Sequence, residues 1–215
     1  MSSKGTFITL EGGEGSGKTT QIKLLASFLE NQGHQVIITR EPGGTDEAEK
    51  IRNLLVHRDG GNWTPMAECL LLFAARNMHV ENLIKPALAE GKIVISDRFT
   101  DSTRAYQSYG HGLEQDIVES MVQLSIGGFE PDLTFVFDLD VETGLKRAGK
   151  RLTDDNSGED RFEQLALEFH ERLYEGYMDI ANRFPERCVV IDADRNIEQM
   201  ASDIQKIVLE RIDNV

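Results

Sequence analysis

The sequence predicts an α/β fold: a five-stranded parallel sheet flanked by helices, with a short lid. Three observations predict it. Five short runs rich in apolar and β-branched residues are almost continuously hydrophobic, as strands buried on both faces are. Segments with apolar residues at steps of three and four separate them along the chain, the alternation that gives crossover helices. Polar residues gather where the runs end, at Glu11, Arg40-Glu41, Asp97-Arg98, Asp138 and Asp192, and ligands of such sheets bind at the carboxyl ends of the strands.

Thr6–Glu11 (TFITLE) reads as the first strand, and Lys18–Asn31 as a helix with Ile22, Leu25, Ala26 and Leu29 on one face. Gln35–Thr39 (QVIIT) is the second strand and Glu47–Val56 the second helix. Pro65–Glu90 reads as one long helix ended by Gly91, before the third strand, Lys92–Asp97 (KIVISD). A helix over Glu114–Ile126 stops at Gly127-Gly128, and the fourth strand, Leu133–Asp138 (LTFVFD), leads into a helix near Val141–Lys150. Arg161–Phe184 is expected to be helical from the spacing of Phe162, Leu165, Phe169, Leu173, Tyr177 and Ile180. Arg187–Asp192 (RCVVID) is the fifth strand and Ile197–Ile212 the closing helix. Leu152–Asp160 (LTDDNSGED) is polar, turn-rich and acidic between Lys150-Arg151 and Arg161; a mobile lid is expected at about 148–161.

At 215 residues the chain is expected to form a single domain, 1–215, large enough to bury roughly 70% of its unfolded surface. Its 23 Lys and Arg against 37 Asp and Glu leave a net charge of −14, which speaks against non-specific nucleic-acid or anionic-membrane binding. A small phosphorylated ligand remains open, provided that local Arg, Lys and backbone N–H groups hold it. No apolar run approaches the ~20 residues that cross a bilayer. Met1–Gly5 lacks a signal core, and the two cysteines, Cys69 and Cys188, read as reduced packing thiols, so a cytoplasmic location is expected. His34, His57, His79, His111 and His170 show no ligand spacing, and no structural metal is expected.

Gly12-Gly13-Glu14-Gly15-Ser16-Gly17-Lys18-Thr19 fits G-x-x-x-x-G-K-[ST], after a strand and before a helix. Glycines let successive N–H groups turn inward on a phosphate, and the helix N-terminus adds its positive end. Lys18 then reaches β- and γ-phosphate oxygens, and Thr19 offers an oxygen to Mg²⁺. A glycine-rich turn with an incidental lysine is the plain alternative, disfavoured by the placement. The motif indicates a three-layer P-loop NTPase fold that takes a nucleoside triphosphate. A guanine switch would need an N/T-K-x-D segment, which is absent, and a motor would need more chain than this. A small-molecule kinase requires a second anion site.

Arginines after two strands are the candidates, the plain alternatives being a surface turn at Thr39–Thr45 and a surface ion pair of Arg98 with Asp97. Thr39-Arg40-Glu41-Pro42-Gly43-Gly44-Thr45 follows the second strand, and Asp97-Arg98-Phe99-Thr100-Asp101-Ser102-Thr103-Arg104-Ala105-Tyr106-Gln107 follows the third. Asp97 is placed to hold Mg²⁺ through water. Arg76 stands among apolar residues in Leu70–Arg76, where it either snorkels or offers its fork to a ligand.

Together with Ile84–Leu88 (IKPAL), Pro131–Thr134 (PDLT) and Ile191–Ala193 (IDA), these segments resemble thymidylate kinase of the bacterial kind. The resemblance implies reversible phosphoryl transfer from ATP to dTMP, with Mg²⁺, in a homodimer. Gly12–Thr19 and Thr20 would cradle ATP, and Arg147 would stack on adenine. Arg40 and Arg98 would hold the dTMP phosphate, with Arg52 supporting that phosphate or Glu41. Glu14 would meet the deoxyribose 3′-hydroxyl and help organise the metal site. Arg76, Thr103 and Gln107 would read the pyrimidine edge, while Glu41 is either a ligand or a structural partner of the arginines. Where many relatives carry a base-stacking aromatic this chain has Leu72, beside Phe73; either could floor the base. The loop's variable positions hold no arginine, so a lid cation is implied, Arg151 first and Arg161 second, acting with Lys18, Glu14 and Arg98. Another nucleoside monophosphate kinase on the same scaffold and a nucleotide-dependent interaction module are the alternatives.

Overall fold

The computed structural model describes residues 5–57, 61–154, 161 and 165–212, with 151–154 and 212 described by backbone alone. Five strands, β1 (Thr6–Gly12), β2 (Val36–Arg40), β3 (Ile93–Asp97), β4 (Leu133–Asp138) and β5 (Cys188–Asp192), form a parallel sheet in the order β2-β3-β1-β4-β5. The chain winds first to one side of β1 and then to the other, so the switch point falls at the carboxyl end of β1. Register does the rest. Leu10 stands opposite Asp97 and Asp97 opposite Arg40, which brings the glycine loop, the acidic strand end and Arg40 to one rim.

Helices α1 (Lys18–Asn31), α2 (Asp46–Val56), α3 (Pro65–His79), α4 (Lys85–Ala89), α5 (Thr100–Thr103), α6 (Gln115–Ile126), α7 (Val141–Asp154), α8 (Leu167–Arg183) and α9 (Ile197–Ile212) complete the described fold. Side chains alternate across the sheet. Ile8, Leu10, Ile95 and Phe135 pack against Leu25 and Leu29 of α1 and Ile204 and Val208 of α9. Phe7 and Val94 turn the other way, onto Phe73 of α3 and Val118 and Val122 of α6. Val136 meets Leu173, Tyr177 and Ile180 of α8. Burying each large apolar side chain contributes roughly 1.5–3 kcal/mol, opposed by the entropy of ordering it.

Four elements differ from expectation. The long helix is continuous in path but widens over Val80–Ile84 into a π segment, where the Lys85 N–H reaches Val80 O. Pro86 lacks an N–H and its ring would strike a carbonyl in a regular α-turn, so the wider turn accommodates it. Helix α8 starts at Leu167 rather than Arg161, because Ala166 is extended with ψ 155°. The apolar period misled there, since non-helical Leu165 packs on the same cluster as α8; Phe162 lies outside the described residues. Residues 100–110 form α5 and a second π segment, Arg104–Gly110, which no apolar stripe announced because Arg104, Gln107 and Ser108 are buried polar groups. Finally, α7 runs on to Asp154, so the first residues of the expected lid are helical, while 155–160 lie outside the described residues.

Candidate active site

The loop between β1 and α1 is built to receive an anion. Gly17 precedes α1 with φ 91° and no side chain caps the helix, which leaves its first N–H groups open to the cleft. At Gly15 the backbone is left-handed (φ 67°), and a Cβ there would lie 2.1 Å from Gly144 O on α7. Only glycine satisfies both demands. Lys18 Nζ curls back to Gly12 O at 3.0 Å and Gly13 O at 2.8 Å. Burial, and then the charge of Arg98, hold its ammonium down to about 8. Thr19 Oγ1 donates to Asp97 Oδ2 at 3.2 Å, so two oxygens of the kind Mg²⁺ accepts meet at the cavity wall.

Arg98 is the hub between this loop and the facing wall. Its backbone is left-handed, with φ 71° in a non-glycine residue, and its side chain is 16% exposed. The guanidinium donates to Gly12 O (3.1 Å), Ser102 Oγ (3.2 Å), Tyr177 Oη (2.9 Å) and Glu14 Oε1 (2.6 Å). Tyr106 Oη donates to the same Glu14 oxygen at 3.0 Å. Beneath them Glu11, fully buried, accepts from the Phe99 N–H at 2.7 Å and from Ser102 Oγ at 2.6 Å. Burial, and then the nearby Asp101 charge, push its carboxyl up to about 7.

Beyond Arg98 the wall becomes a cationic and amide surface. Arg76, 2% exposed, donates from Nε to Glu41 Oε2 (2.7 Å) and from Nη2 to Phe99 O (3.1 Å) and Thr103 Oγ1 (2.9 Å), leaving Nη1 without a hydrogen-bond partner among the described residues. His79 joins Glu41 Oε1 (2.9 Å) to Thr39 Oγ1 (2.7 Å). Burial alone would raise the Glu41 carboxyl, but Arg76 and then His79 bring it below the usual carboxylate range. Arg40 Nη2 pairs with Glu49 Oε2 at 3.1 Å from a half-exposed position, and Arg52 Nη1 donates to Pro42 O at 2.9 Å. Gln107 Nε2 donates to Glu68 Oε1 at 2.7 Å, leaving its own Oε1 buried and, among the described residues, without a hydrogen-bond partner. One cavity of about 810 Å³ joins the two halves: Lys18, Thr19 and Asp97 line it together with Arg40, Arg52, Leu72, Arg76, Arg98, Thr103 and Gln107.

A thymidylate kinase family model matches residues 10–204 of this chain. The chain belongs to the thymidylate kinase family. The thymidylate kinase of Caulobacter vibrioides is 48% identical to it over 209 residues, covering 97% of this chain and 98% of that protein. That of Desulfosudis oleivorans is 50% identical over 189 residues, covering 87% of this chain and 88% of that protein. A crystal structure of thymidylate kinase from Ehrlichia chaffeensis matches with a TM-score of 0.76 at 37% identity, covering 95% of this chain and 98% of that one.

Within this thymidylate kinase scaffold, most of the residues singled out from sequence converge, and some do not. Phe73 does not line the cavity. It sits 1% exposed in the core under Arg76, whose guanidinium lies 4.8 Å from its ring centre, and Leu72 takes the cavity wall instead. Arg161 stands away from the glycine loop: Nη2 is 2.6 Å from Glu68 Oε2 and Nη1 donates to Leu55 O at 2.9 Å. Arg147 bonds Ala193 O (3.2 Å) and Asp194 Oδ1 (2.8 Å) on the back of the loop, outside the cavity, as is exposed Thr20. The side chain of Arg151 lies outside the described residues. Glu41 pairs with Arg76 and also lines the cavity. Sequence reasoning missed Glu11, Glu68, His79, Ser102, Tyr106 and Tyr177, each of which acts across a long sequence separation; the one local signal was a run of polar side chains over 100–110 too short of apolar residues to be surface helix. Cys69 and Cys188 are buried and free, and burial pushes their thiols up to about 11 and about 12, as packing thiols require.

Proposed function

We propose that the protein phosphorylates dTMP to dTDP with ATP and Mg²⁺, as its family membership indicates. The observation that carries this reading is the single cavity with the phosphate loop on one side and Arg40, Arg98, Arg76, Thr103 and Gln107 on the other. The acceptor is itself a phosphate, so no strong general base is called for; the work is positioning and charge neutralisation. Lys18 and the open N–H groups of the loop hold the donor phosphates. Arg40 and Arg98 hold the acceptor phosphate, and Leu72 with Arg76 and Gln107 receives the base. Glu14, already bonded by Arg98 and Tyr106, is placed to take the sugar hydroxyl. Thr19 and Asp97 would hold Mg²⁺, which supplies charge neutralisation between the phosphates. Among the described residues no group of three His, Cys, Asp or Glu side chains converges, so its remaining ligands would be phosphate oxygens and water. A homodimer in the cytoplasm belongs to the same reading; among the described residues no helix is long and apolar enough to cross a membrane.

The test is a panel of nucleoside monophosphates with ATP and coupled ADP detection, with and without Mg²⁺. Rapid Mg²⁺-dependent ADP release with dTMP, and little with dGMP or without an acceptor, is the expected result; ATP binding with no acceptor-dependent ADP release would leave only a nucleotide-dependent interaction module.

The lid cation is assigned to Arg151. Gly144 and Arg147 of α7 abut Gly15, and the helical step puts position 151 on that same face, about 10 Å further on from Gly144. Arg151→Ala is expected to lower kcat by about a hundredfold or more while raising the KM for dTMP only a few-fold. Steady-state kinetics with varied dTMP decide; the opposite split would make Arg151 a binding residue.

A further inference from the structure

We propose that Glu68 is a positioning residue for base selection: it fixes the Gln107 amide so that only the carbonyl end meets the base, and thereby disfavours cytosine. The inference rests on the reading that the acceptor is a pyrimidine monophosphate.

Glu68 lies in the first turn of α3 and is 1% exposed. Its Oε1 accepts from Gln107 Nε2 at 2.7 Å, with His111 Nε2 3.6 Å away. Its Oε2 faces Arg161 Nη2 at 2.6 Å, an ion pair whose alignment falls short of a hydrogen bond. A carboxylate beside a guanidinium only accepts, so Gln107 must turn its NH₂ group toward it. Free of that constraint, the terminal amide torsion of a glutamine is two-fold, and either end could face a ligand. Gln107 lines the cavity, and its carbonyl Oε1 is buried and without a hydrogen-bond partner among the described residues.

Arg76 complements it. With Nε and Nη2 engaged by Glu41, Phe99 O and Thr103, its buried Nη1 is a donor without a hydrogen-bond partner among the described residues. Two residues of the wall thus each keep a buried polar atom without a hydrogen-bond partner among the described residues, an acceptor on Gln107 and a donor on Arg76. Thymine offers N3–H and O4, a donor beside an acceptor. Cytosine offers the reverse, a bare N3 and an amino group. Arginine cannot change its polarity, whereas glutamine can, and Glu68 is the group that removes that choice.

Glu68→Gln removes it least invasively, since an amide of the same shape can face Gln107 with either end. The measurement is kcat/KM for dTMP and dUMP and the inhibition constant of dCMP against dTMP, with thermal melts of each protein. For the unaltered chain, dCMP is expected to bind at least about tenfold more weakly than dTMP, the low end for a buried donor–acceptor mismatch. In Glu68→Gln that preference should shrink by about tenfold, carried by KM rather than kcat, with the dTMP to dUMP ratio unchanged because the two differ only in a methyl group. A second variant, Glu68→Gln with Gln107→Glu, returns an acceptor-only side chain to position 107 and should restore the preference. The inference is overturned if the unaltered chain binds dCMP as well as dTMP, if Glu68→Gln folds and keeps the full preference, or if the swapped pair folds and lacks it. Absence of dTMP turnover in the unaltered chain would overturn the proposed function as well, which separates the two failures.

Discussion

Replacing Arg98 by alanine is expected to lower kcat/KM for dTMP by about a hundredfold or more, with ATP affinity falling only a few-fold. The guanidinium stands where the acceptor phosphate would meet the glycine loop, touching Gly12 O and Glu14 on one side and Ser102 and Tyr177 on the other. A neutral side chain there leaves two incoming polyanions to repel each other with Arg40 as the remaining cation proposed for the acceptor phosphate, and Arg40 is half exposed and shared with Glu49. Two further consequences follow. Glu14 loses its cation and Gly12 O a donor, and the left-handed backbone at position 98 remains, so the melting temperature should fall by several degrees, in line with about 1–3 kcal/mol. Arg98→Lys keeps the charge but not the fork and should lie between the two in kcat/KM. Calorimetric titration with ATP separates the roles: an equal loss of ATP and dTMP binding would make Arg98 a strut of the loop rather than a ligand of the acceptor.

How much of this was legible in the sequence follows from which contacts are local. The glycine loop was readable because the cradle, its lysine and the helix that opens on it lie within one continuous stretch, and the strand ends were readable because buried parallel strands are apolar until they reach the rim. Arg40, Asp97 and the loop meet through strand register, which the alternation of strands and helices implied without stating the order β2-β3-β1-β4-β5. The polar scaffold beneath was not readable. Glu41 and His79, or Glu68 and Gln107, lie 38 and 39 residues apart, and nothing in either segment names its partner. Leu72 and Phe73 show the same limit within a helix: adjacent apolar residues differ by 100° about the axis, so which one faces the cleft is set by how α3 sits on the sheet. The partner of Arg161 was equally hidden: the sequence offered it as a second lid cation beside a polar segment, whereas it pairs with a buried acid on α3.

Lys18→Ala is expected to cut turnover by about a hundredfold or more and, in addition, to remove a specific pH dependence of ATP binding. In this fold the buried ammonium is held down to about 8 against an ordinary value of 10.5, by burial and then by Arg98. The sign follows from which form the fold disfavours. A lysine whose folded value is depressed destabilises the fold while it is protonated, fully so below about 8, and that penalty fades as pH rises from about 8 toward 10.5. A triphosphate reverses the balance: its oxygens favour the ammonium, so binding raises the Lys18 value and, near pH 9, draws a proton from solution. ATP affinity of the unaltered chain should therefore weaken as pH rises above about 8, with close to one proton taken up per ATP bound near pH 9. Titration calorimetry in buffers of different ionisation enthalpy measures that uptake directly. In Lys18→Ala it should vanish, and its persistence would place the proton on another group of the cleft and remove Lys18 from the donor-phosphate site.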